Sequence, residues 1–106
     1  MNFARLAENT GLEEDEFLEL VELFVKTSAS DVEALQSAID EEDIQQALEA
    51  AHSIKGAAGN LGSMELYEAA KDIEEKARVN SLEGATEAAR TIKEKYDQIA
   101  EALGTK

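Results

Sequence analysis

Apolar residues recur three and four positions apart along most of the chain, and no segment alternates apolar with polar residues as a half-buried strand does. The pattern predicts a succession of helices. A short first helix holds Phe3 and Leu6 and breaks at Thr10-Gly11. A long second helix runs from about Leu12 to Asp40, with Phe17, Leu18, Val21, Phe24, Val25, Val32, Leu35 and Ile39 on one broad stripe. Ser28 to Asp31 offers capping residues for a kink or a second start; one continuous helix is the preferred reading. The acidic cluster Asp40 to Asp43 marks the next turn, with Asp43 as N-cap. The third helix spans about Ile44 to Leu61 and turns Ile44, Leu48, Ala51, Ile54, Ala58 and Leu61 to the core. Gly62 ends it as a C-cap and Ser63 starts the next helix in a tight antiparallel hairpin. The fourth helix, to about Val79, buries Leu66, Tyr67, Ala70, Ile73 and Ala77. After Asn80-Ser81 the last helix carries Ala85, Ala88, Ile92, Tyr96, Ile99 and Leu103. The fold expected is all-α, an antiparallel up-down-up-down four-helix bundle with the short first helix packed across it as a lid.

Composition narrows the possibilities. At 106 residues the chain is one domain, residues 1–106, with room for a modest core. Hydrophobic residues make up 43% but aromatics only 5%, so the core is built from Leu, Ile, Val and Ala. Proline is absent, which suits long uninterrupted helices. The formal net charge of -14 repels phosphate backbones and anionic bilayers, which argues against nucleic-acid and membrane-surface binding. Without cysteine there is no disulfide or thiolate chemistry. No apolar run is long enough to span a bilayer and no signal peptide is evident. A cytoplasmic monomer is expected.

The chemistry gathers around the one histidine, His52. Lys55 follows three residues on and Gly56 four, so a cation and a bare patch of backbone neighbour the imidazole on a helix. Histidine is the side chain best suited to exchange a proton or a phosphoryl group near neutral pH. The core stripe of the third helix centres near Ala51, which puts His52, Gly56 and Gly59 on its shoulder and Lys55 between them and the core. Each mid-helix glycine costs roughly 1 kcal/mol relative to alanine. Either Gly56 and Gly59 let a partner approach the imidazole, or they let neighbouring helices pack tightly. The pattern alone leaves both open. The series Gly56-x-x-Gly59-x-x-Gly62 lies inside a helix and not between a strand and a helix, so it is no phosphate-cradling loop.

The hairpin adds a second residue. With the turn at Gly62-Ser63, antiparallel pairing sets His52 opposite Glu74. Glu74 lies within the apolar arc of its own helix, where an acidic residue usually has a partner. A carboxylate accepting from one ring nitrogen would fix the tautomer and leave the other nitrogen free as a nucleophile. The alternative is that Glu74 snorkels to solvent from a boundary position.

The run His52-x-x-Lys55-Gly56-x-x-Gly59-Asn60-Leu61-Gly62 resembles the histidine phosphotransfer domain family of two-component phosphorelays. Phe24-Val25 and Leu35 to Asp40 upstream, with Leu66, Ile73-Glu74 and Ala77-Arg78 downstream, extend the similarity over most of the chain. The resemblance implies a carrier with no kinase activity of its own. His52 would accept a phosphoryl group from a receiver-domain aspartate and pass it to another response-regulator receiver. Lys55 would lie near the phosphoryl oxygens, Gly56 and Gly59 would form the partner-docking surface, and a residue matching Glu74 would orient the imidazole. Partners would be receiver domains or a hybrid histidine kinase. Any Mg²⁺ would belong to the receiver, so no cofactor is expected here. No ATP-binding, dimerisation or receiver signature follows, and a Met start with a complete bundle suggests a stand-alone protein, although an excised domain has the same appearance.

Other readings compete with this one. Leu20 and Leu23 fall off the main stripe; cover by Phe3 and Leu6 is the favoured reading, and a receiver-binding patch the other. Glu49-x-x-His52 matches half of a di-iron ligand pattern, but one histidine cannot complete such a site within a chain, and zinc fails on the same ground. Two readings keep the bundle and change the chemistry: a non-catalytic receiver-docking module, or the phosphorylated N-terminal domain of a chemotaxis-type kinase. The acidic runs Glu13 to Glu16 and Asp40 to Asp43 read as solvated faces or caps, with discrimination among receivers the alternative.

Overall fold

The structure, a computed structural model, describes residues 7, 8 and 10–104. The second to fifth helices expected from sequence are α1 (Glu14–Asp40), α2 (Ile44–Leu61), α3 (Met64–Arg78) and α4 (Ala85–Gly104). Of the short helix expected before them, Ala7, Glu8 and Thr10 are helical and Ala7 is buried. Phe3 and Leu6, with the proposed lid contact, lie outside the described residues. No strand occurs among the described residues.

Local chemistry sets the ends of the helices. The carboxylate of Glu16 accepts from the Glu13 N–H, closing a capping box that starts α1 two residues later than the apolar pattern suggests. No second start occurs at Ser28 to Asp31: α1 is continuous, and Ser28 is buried in its middle. Asp43 caps α2 by accepting from the Gln46 N–H at 3.1 Å. Gly62 ends α2 in the left-handed conformation, φ 79°, and the Ser63 N–H reaches back to the Ala58 carbonyl at 3.1 Å. Gly84, also left-handed, precedes α4.

Each helix packs against its chain neighbours, and α1 also meets α4, which closes the ring. The contacts run antiparallel. On α1 and α4, Gln36 donates to the Ala89 carbonyl while Val25, three turns earlier, accepts from the Tyr96 hydroxyl at 2.7 Å. Phe17, Val21, Leu35, Ile54, Leu61, Leu66, Ile73, Ile92 and Ile99 fill the shared core. Tyr96 stays half-buried because its hydroxyl takes that backbone partner.

On α2 the core stripe differs from the sequence expectation. Ile44 and Leu48 are half-buried, while Ala47 and Ala50 are buried with Ala51, Ile54, Ala58 and Leu61. The buried arc is thereby rotated by roughly 50° away from His52. Hydrophobicity weighting favours Ile and Leu, but the innermost line of a helix with close neighbours on both sides is set by small residues. On α4 the same logic buries Ala89 in place of Ala88.

Candidate functional site

Four side chains from two helices meet on the α2–α3 face. Antiparallel pairing around Gly62-Ser63 does set His52 opposite Glu74, and the His52 Nδ1 lies 2.6 Å from Glu74 Oε2. Lys55 Nζ, one turn along α2, lies 2.5 Å from Oε1. Arg78, one turn along α3, donates from Nη2 to Oε2 at 3.1 Å. The burial of the four is graded. Glu74 is 2% exposed, whereas the His52 side chain is 67% exposed. Glu74 therefore does not snorkel. It is a buried carboxylate that two cations and a ring N–H keep satisfied.

Electrostatics then fixes the state of the imidazole. The carboxyl of Glu74 drops from 4.5 to about 2, chiefly through the Lys55 hydrogen bond, against the opposing effect of burial and with the help of His52 and Arg78. At neutral pH it is an anion and accepts only. The Nδ1 of His52 must then carry the proton, and in the neutral ring Nε2 is left with its lone pair. The imidazole thus offers solvent an oriented base and nucleophile.

The rotated stripe places His52 further out than its predicted shoulder position. Gly56, one turn on, is exposed, and a Cβ built there meets no atom of the described residues within 4 Å beyond its own stretch of helix. Among the described residues no neighbouring helix uses the space at Gly56, which counts against the helix-packing reading. At Gly59 a Cβ would sit 3.8 Å from the Tyr67 ring, an ordinary contact, so its bareness is not required for packing either. Lys55 is held at Glu74 in this structure. Ser53 ties the neighbourhood to α1 by donating to Asp31 at 2.6 Å.

Leu23 is 57% exposed, contrary to the expectation that it is covered. With half-buried Leu20, it lines a shallow apolar groove between α1 and α2 whose other wall is Ala57, Asn60 and Leu61. Glu49 accepts from Gln45 at 3.2 Å, and among the described residues no cluster of His, Cys, Asp and Glu is arranged to hold a metal ion. None of the described helices is long and apolar enough to cross a membrane.

Sequence reasoning did not assign a role to Arg78. The available signal was its place four residues after an acid on the apolar arc, the spacing of a helical ion pair.

Comparison with known proteins fits this geometry. The Hpt domain family model matches residues 19–102. The crystal structure of histidine-containing phosphotransfer protein B (HptB) from Pseudomonas aeruginosa PAO1 is similar, with a TM-score of 0.79 and 27% sequence identity over 99% of this chain and 91% of that one. No curated protein matches the sequence. With a helical bundle, a family match across most of its length and an exposed histidine oriented by a buried acid, the chain belongs to the Hpt domain family of histidine phosphotransfer proteins.

Proposed function

We propose that the chain is a phosphorelay intermediate in which His52 takes a phosphoryl group from a receiver-domain aspartate and delivers it to the receiver of another response regulator. The observation that carries this reading is the His52–Glu74 contact, which commits Nδ1 and frees Nε2 on a bare, exposed helix surface. In the forward step the Nε2 lone pair attacks phosphorus. The P–O bond to the aspartate breaks, and its electron pair leaves with the aspartate carboxylate. The new N–P bond puts positive charge on the ring, Nδ1 keeps its proton, and the Glu74 carboxylate offsets that charge. Reversal against a second aspartate returns the ring to neutrality. Lys55 stands one turn from the imidazole and offers charge-assisted donors to phosphoryl oxygens as they arrive.

A carrier of this kind contributes position more than chemistry. Mg²⁺ and the acidic cluster that holds it belong to the receiver. Gly56 lets the receiver's loops reach Nε2, and the α2 wall of the apolar groove at Leu20 and Leu23 begins at Ala57 and ends at Leu61, roughly 8–14 Å along the helix axis from His52. That groove suits the apolar part of a receiver's docking face.

The test is transfer of label from a panel of phosphorylated receiver domains. The expected product is an acid-labile, base-stable phosphoryl group on the native protein, absent from His52→Gln with helicity by circular dichroism unchanged. Label on His52→Gln, or none on the native protein with any receiver, overturns the reading. Label supplied only by a kinase domain with ATP favours the kinase-fed alternative.

A further inference from the structure

Arg78 is the member of the site with no part in the transfer chemistry above. It is not spent on an ordinary surface pair. On the same last turn of α3, Lys76 pairs with exposed Asp72 at 2.8 Å, the usual helical arrangement. Arg78 instead reaches the buried acid, and it selects Oε2, the oxygen that holds the imidazole. Two donors from different helices thus converge on one oxygen, while Lys55 takes the other.

The geometry gives this convergence a purpose. A carboxylate held only by an ammonium is free to swing about its last bond, because lysine is a point charge without a directional fork. A guanidinium is planar and directional, and Arg78 is anchored on the same helix as Glu74, one turn away. Its N–H on Oε2 restrains the carboxylate from within α3, on the same oxygen that lies 2.6 Å from Nδ1 across the α2–α3 seam. We propose that Arg78 is a positioning residue: through Glu74 it holds His52 in the Nδ1–H tautomer and keeps Nε2 aimed outward. The inference deepens the relay reading and rests on it for its function, but its first measurement needs no partner.

That measurement is the ¹⁵N signature of the imidazole, read by long-range ¹⁵N–¹H correlation above the pH at which the ring is protonated. The native protein is expected to show the Nδ1–H form in large excess. Arg78→Met should raise the Nε2–H form relative to the native protein by about two- to five-fold, the range open to a partly exposed charged pair. Because the Nδ1–H form stays in the majority, transfer from a phosphorylated receiver should slow by less than about two-fold, at unchanged receiver affinity. Arg78→Lys keeps the charge without the directional fork and should recover only a small part of both effects. The Arg78 side chain is 60% exposed, so its loss leaves the core intact, and circular dichroism checks this. An unchanged tautomer ratio in Arg78→Met overturns the proposal, whether or not transfer slows; slower transfer alone would assign Arg78 to the phosphoryl group or the receiver. A shifted ratio in a protein that no receiver labels would uphold the positioning role and reject the relay reading.

Discussion

Replacing Glu74 by glutamine keeps the shape of the side chain and removes one negative charge from the bottom of the site. The carboxyl is 2% exposed and titrates at about 2 in place of 4.5. A displacement of that size represents roughly 3 kcal/mol of preference of the fold for the ionised form. Because the folded value is the depressed one, this stabilisation is complete above the unfolded value and is lost as pH falls from near 4.5 through about 2. Against a total stability of about 5–15 kcal/mol for a domain, the loss is large. The other carboxylates of this acidic chain titrate in the same window, so the native protein alone does not isolate the effect. The informative quantity is the difference between native protein and Glu74→Gln, in which that shared background cancels. Urea unfolding followed by helical circular dichroism, at steps from about pH 5 to about pH 2, measures it. The native advantage should shrink by about 3 kcal/mol across the scan, most of it below the unfolded value. A gap that stays constant, or widens as pH falls, refutes the assignment of Glu74 as a buried anion and with it the tautomer argument for His52.

The two glycines that matter differ in what their bareness serves. Gly56 has open space around it, so Gly56→Ala should raise stability by up to about 1 kcal/mol through helix propensity while slowing transfer from a receiver; a lower melting temperature would show that Gly56 packs within the fold after all. Gly62 holds φ 79°, and a Cβ there would sit 3.2 Å from Thr10 Cγ2, so Gly62→Ala should destabilise by about 1–2 kcal/mol, and an unchanged urea midpoint would contradict that.

Much of this protein was legible in its sequence because the relevant physics is local or periodic. Asp43 and Gly62 announce their caps by residue type, since a side-chain acceptor and a left-handed φ are needed at those points and few residues supply them. The 3.6-residue period dictates the four long helices, and the hairpin around Gly62-Ser63 pairs His52 with Glu74 from sequence alone, because a tight antiparallel turn leaves little freedom of register. The family resemblance rested on the same run of residues. Tertiary structure decided what depends on distance between helices. It buried Ala47 and Ala50 in preference to Ile44 and Leu48, because close approach rewards small side chains. It left Leu23 exposed and Gly56 without a neighbour among the described residues, which no helical wheel of a single element can tell from cover or tight packing. It also brought Lys55 across from α2 onto the buried carboxylate that Arg78 reaches from one turn away on α3, a convergence that needs the spacing of α2 and α3. Sequence supplied the histidine and its opposite number; packing supplied the electrostatic environment that gives the ring one tautomer and one free nitrogen.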